Sequence, residues 1–278
     1  MLRKTRETES FTSSLFKKFL FNPSKTQCIG DSFHIINPKF TYENRTIKTK
    51  DDVNLRISLV IPKNISKETH FIILCHGSSV NRGFYSNMFD KYNILDENVC
   101  VLLLDYREYG NSEGIFSKTG AVYDLEACVK YFYKRFKTKF TFIGSSLGSA
   151  VILEYCKYIY LENKNVCFDK LVLLSCFTSV MDFLKESISW KFIKILPNQV
   201  NKITNLYDFN LLESIKYVGN HNVLILHGLN DKLVKISSAK RLASIIECKF
   251  DAFNEDHFNI TFSYSVWKRI FEFLNNSQ

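Results

Sequence analysis

Proline and glycine are scarce in this chain: four and ten residues out of 278. With 46% apolar residues, that composition excludes a proline- or glycine-rich disordered protein and predicts a packed core. No stretch reaches the roughly 20 consecutive apolar residues that a membrane-spanning helix needs. The N-terminus is charged, and its apolar residues Phe11, Leu15, Phe16, Phe19, Leu20 and Phe21 are interrupted by Lys17 and Lys18, so no secretory signal peptide is expected. None of the eight cysteines forms a C-x-x-C pair or a zinc-like spacing. They read as buried, reduced thiols of a cytoplasmic protein. His76, His221, His227 and His257 share no ligand spacing either, so no metal is expected.

Aromatic residues are abundant instead, with 25 phenylalanines and 14 tyrosines. The abundance of Asn, Lys and Ile resembles the bias of AT-rich coding sequence, so a single Lys or Asn carries little functional weight. The net charge of +9 suits an anionic partner. Its positive residues are scattered, however, and the densest cluster, Lys134, Arg135, Lys137 and Lys139, fits the solvated end of a helix. No recognised module accompanies the charge, so nucleic-acid binding is not expected. If residues 10–21 form a helix, one face is apolar and the ends are basic. Such a helix suits lying peripherally on a membrane surface, or docking on the protein's own core.

From about residue 40 the pattern becomes regular. Segments 45–50 and 53–61 alternate around Asp51 and Asp52, predicting a β-hairpin. Continuous apolar runs at 71–75, 99–104, 140–143, 171–174 and 223–226 predict buried parallel strands. A helical pattern over 122–136 lies between two of them. Strands alternating with helices predict an α/β fold, a mostly parallel central sheet flanked by helices. The alternation breaks over 177–217, where Phe183, Leu184, Trp190 and Phe192 read as exposed apolar residues of a small helical cap. The expected organisation is an N-terminal segment, 1–39, followed by one α/β domain over 40–278.

The chemistry concentrates in Gly144-Ser145-Ser146-Leu147-Gly148, which follows an apolar run and opens a helical one. This Gly-x-Ser-x-Gly in a strand-to-helix setting is a nucleophile elbow. Ser146 is the expected nucleophile, because only it, and not Ser145, has a glycine two positions away on both sides. A serine needs a base, and the base needs an orienting carboxylate. Asp231 follows the run 223–226, and His257 stands just before the last helix, so Ser146, Asp231 and His257 come in the chain order of an α/β-hydrolase triad. Asp256 and Glu255 are too close in sequence to His257 to face its ring. The amide of Leu147 supplies one oxyanion donor. The loop Cys75-His76-Gly77-Ser78 predicts the Ser78 amide as the second, with Gly77 permitting close approach and His76 bonding within the loop.

Taken with His76-Gly77-Ser78-Ser79, Arg82-Gly83 and the block Asp105-Tyr106-Arg107-Glu108-Tyr109-Gly110-Asn111-Ser112, these motifs resemble the α/β-hydrolase-domain serine hydrolases of eukaryotic membranes. Within them the chain is most similar to the monoacylglycerol and lysophosphatidylserine lipases, and next to the protein depalmitoylases. The resemblance covers roughly residues 45–275. It departs in four places: Ser78-Ser79 replaces Asn-Ala, Glu108 replaces a glycine, Ser145 replaces a frequent histidine, and neither a spanning helix nor an N-terminal cysteine cluster is present. The resemblance implies a lipase or lysophospholipase acting on long-chain acyl esters through an acyl-enzyme, without metal or organic cofactor. A palmitoyl thioesterase is the alternative, and a catalytically dead binding module the other. Its partner is a lipid or acylated substrate.

Overall fold

The computed structural model describes residues 20, 21, 23, 37–92, 94–165, 168–187, 207–219 and 222–276. Its eight strands are β1 (Phe40–Lys48), β2 (Asn54–Pro62), β3 (His70–Cys75), β4 (Val99–Leu104), β5 (Phe140–Ser145), β6 (Phe168–Leu174), β7 (Asn222–Gly228) and β8 (Lys249–Phe253). They form one sheet in the order β1-β2-β4-β3-β5-β6-β7-β8. β2 runs antiparallel to β1 and β4, and every other pairing is parallel.

Strand side chains alternate between two cores because the strand period is two. On β4, Cys100, Leu102 and Leu104 enter one core while Val99, Val101 and Leu103 enter the other. Helices α2 (Lys118–Phe136), α3 (Leu147–Leu161) and α6 (Ile236–Ile246) cover the first core. Helices α1 (Arg82–Tyr92) and α7 (Tyr264–Asn275) cover the second, through Tyr85, Phe89, Trp267 and Ile270. Burial on both faces explains why these strands read as unbroken apolar runs.

The hairpin turns where expected, with Asp52 at φ 73, but β1 begins five residues before the predicted start. After the buried Phe40 its early residues are exposed or half-buried, a weaker signal than a buried run. Helix α2 begins four residues before the predicted 122, where the Ser117 side chain accepts from the Gly120 amide. Arg107 lies where a Cβ on Gly120 would sit, 2.6 Å away, so a packing glycine opens that helix.

In the predicted cap, α4 (Val180–Ser187) and α5 (Leu211–Ser214) are helical, while the expectations for 188–206, including Trp190 and Phe192, lie outside the described residues. Leu184 is buried in the first core rather than exposed. Most of the N-terminal segment also lies outside the described residues, but Phe21 is packed into the first core. Among the described residues no helix is long and apolar enough to cross a membrane.

Candidate active site

The strand order dictates where a site can form. The chain leaves β3 for β4 on one side, then crosses back to β5 on the other, so a crevice opens beyond the C-terminal ends of β3 and β5. Ser146 sits at the end of β5, and the loop His76-Gly77-Ser78 at the end of β3.

Ser146 has φ 52 and ψ −110, a strained conformation between β5 and α3. Its amide donates to the Leu174 carbonyl at 2.8 Å, tying the turn to β6. Gly148 is required because a Cβ there would lie 2.0 Å from the Cys75 carbonyl oxygen, so the elbow presses directly on the end of β3. No side chain caps the start of α3, and its first residue, Leu147, lines the crevice. Ser78, Ser146, Leu147 and His257 all line one cavity of about 220 Å³.

His257 and Asp231 are brought together from different loops. Asp231 follows β7, and its Oδ1 accepts the amides of Leu233 at 2.9 Å and Val234 at 2.8 Å. Its Oδ2 accepts from His257 Nδ1 at 2.7 Å. That bond assigns the proton to Nδ1 and leaves Nε2 basic. Burial opposes ionisation of Asp231. The His257 bond and the two amides outweigh it and hold the carboxyl below its usual range. Asp256 turns away to accept the amides of Phe258 and Asn259. Among the described residues no hydrogen bond joins Ser146 to His257; such contacts commonly tighten only when substrate binds.

His76 is buried, donates from Nδ1 to the Gly77 carbonyl at 2.7 Å, and packs at a tilt against Tyr106 and Tyr109, with ring centroids 4.5 and 5.0 Å away. Burial keeps its pKa low, so it braces the loop as a neutral ring. The block from Asp105 to Ser112 is scaffold for that loop. Asp105 accepts from the Arg82 amide at 2.8 Å and from its Nε at 2.9 Å, at the start of α1. Arg107 bonds Asp124 and Asp51. Glu108 has φ 72, a left-handed conformation that favours glycine, and its carboxylate accepts the Phe116 amide at 2.7 Å.

Three features escaped the sequence. His227, fully buried beside Asp231 at 3.4 Å, donates from Nε2 to the Val234 carbonyl at 2.9 Å. Its spacing of four from Asp231 was visible, but nothing in a loop sequence shows which way such a ring turns. Ser145 bonds Thr261 at 3.0 Å. The cavity walls are apolar: Leu20 and Phe21, then Phe84 and Phe262, then Phe177 and Phe183. They come from four separate segments, so no sequence window could assemble them.

No family model matches the chain. Protein ABHD12B of Homo sapiens is 29% identical over 184 residues, covering 63% of this chain and 49% of that protein. Protein bem46 of Schizosaccharomyces pombe is 28% identical over 187 residues, covering 60% of this chain and 58% of that protein. The match thus spans about half the length of these curated relatives. Among solved structures, the Pyrococcus furiosus esterase Pf2001 superposes with a TM-score of 0.66 at 20% identity, covering 92% of this chain and 97% of that one. Strand order, elbow and these likenesses together make the chain an α/β-hydrolase-fold protein.

Proposed function

We propose that this protein is a serine hydrolase of long-chain acyl esters, acting on a monoacylglycerol or lysophospholipid. One observation carries the reading: His257, whose Nδ1 bonds Asp231 at 2.7 Å, lines the same apolar-walled cavity as a serine held at φ 52. Ser146 Oγ attacks the ester carbonyl as His257 Nε2 takes its proton. Asp231 stabilises the imidazolium through the Nδ1 bond. The Leu147 and Ser78 amides receive the oxyanion, each such donor contributing about 3 kcal/mol of transition-state stabilisation. The carbon–oxygen bond to the alcohol breaks as His257 returns the proton to that oxygen. Water then gives a proton to His257 and attacks the acyl carbon, and the proton passes back to Ser146 as the acid leaves.

The apolar lining supports the acyl half of the reading, since each buried methylene contributes about 0.8 kcal/mol. A panel of monoacylglycerols, lysophospholipids and an S-palmitoyl peptide, assayed with wild type and Ser146→Ala, tests it. Hydrolysis of the esters by wild type and loss in the variant is expected. Equal rates for both proteins would sink the reading, and preference for the thioester would transfer it to a depalmitoylase. A fluorophosphonate that labels Ser146→Ala as well as wild type would point to an inert fold.

A further inference from the structure

Leu20 and Phe21 belong to the N-terminal segment, far in sequence from the elbow, yet both line the cavity that holds Ser146. Phe21 is the anchor. Its side chain is buried, with ring centroids 5.1 Å from Phe116 and from Tyr207. Its carbonyl accepts from Tyr109 Oη at 2.6 Å and from the Ser79 amide at 3.4 Å. The residue that fixes this wall is therefore bonded to the loop that carries the Ser78 oxyanion donor. Leu20 is different: it is only partly buried, packs on the edge of the core, and faces the cavity beside Phe21.

We propose that Leu20, held in register by Phe21, sets how many methylenes of a straight acyl chain the cavity accepts. The inference rests on the acyl-ester reading for its substrate class. A membrane-facing role is not needed for Phe21, since the protein's own core takes up its surface. Because the wall comes from the N-terminal segment, chain-length preference is separable from the triad. An aliphatic side chain here presents no polar atom, which suits an acyl tail and not a head group.

The test reads binding without turnover. Saturated fatty acids of increasing length displace a fluorescent fatty acid from the full chain, in wild type, Leu20→Ala and Leu20→Trp, each checked for folding by thermal melting. Affinity should climb by about fourfold per added methylene until the cavity is full, then flatten. Leu20→Trp should move the plateau to shorter chains and Leu20→Ala to longer ones, with the slope before the plateau unchanged. If Leu20→Trp does not fold, Leu20→Ala decides alone, because enlarging the cavity must lengthen the plateau. A plateau that stays in place, or no fatty-acid binding by wild type, overturns the inference. Failure of the hydrolase reading is seen separately, as absent ester turnover by a wild type that still shows the binding ladder.

Discussion

The hydroxyls of Ser145 and Thr261 lie 3.0 Å apart, joining the residue before the candidate nucleophile to the short helix that follows the candidate base. Both residues are buried, and Trp267 Nε1 donates to the Thr261 carbonyl at 2.8 Å, pinning the same turn to the second core. The elbow and the His257 loop come from strands at different positions in the sheet. This bond couples them without involving Asp231.

Thr261→Val keeps the shape and removes the bond. It should lower kcat by about tenfold with KM nearly unchanged, because a small displacement of the base weakens proton transfer more than binding. The orphaned Ser145 hydroxyl should also cost about 1–3 kcal/mol of stability. Thr261→Ser should restore both. Steady-state kinetics beside urea unfolding checks this; a stability loss with kcat intact would make the bond structural only.

Acidification should weaken the fold in two separate windows. Burial holds His227 and His76 below the ordinary 6.5, so the unfolded chain takes up protons first as pH falls below that value. Unfolding free energy should then drop by up to about 1.4 kcal/mol per pH unit for each histidine. Asp231 is held below the ordinary 3.8, so its contribution is present above that pH and lost as pH falls through its folded pKa. Urea midpoints measured against pH, with His227→Gln, check the assignment. The variant should flatten the upper window and leave the lower one; an unaltered upper slope would refute the role of His227.

Gly148→Ala should be severe. The new Cβ would meet backbone atoms of Cys75, which cannot swing aside as a side chain could, and the cost should be about 3 kcal/mol or more. Gly219→Ala serves as the comparison: nothing lies within 4 Å, and only its φ of +71 is strained, for about 1 kcal/mol. Equal losses in the two variants, measured by chemical unfolding, would show that the elbow does not press on β3.

Particular residues show how far the sequence reaches. The buried strands were legible because each is apolar on both faces, as on β4, where every residue from Val99 to Leu104 is buried. Ser146 was legible because a strained strand-to-helix turn admits little but glycine two residues either side. β1 was underestimated because an edge strand with one solvated face carries a diluted signal. Leu184 was misjudged as exposed because an apolar residue in a segment with no strand pattern does not reveal what it packs against. Asp231 was read with His257, but His227 was not, although folding sets it 3.4 Å from the same carboxylate.

By itself the sequence determined the α/β alternation, the elbow and the chain order of serine, aspartate and histidine, since each depends on local backbone sterics or on periodicity along the chain. Only the tertiary structure decided that His227 lies against Asp231, that Ser145 reaches Thr261 across 116 residues, and that Phe21 walls the same cavity as Ser146. Those are through-space relations. They follow from how the sheet order and two packed faces return distant segments to one crevice, and no spacing along the chain encodes that return.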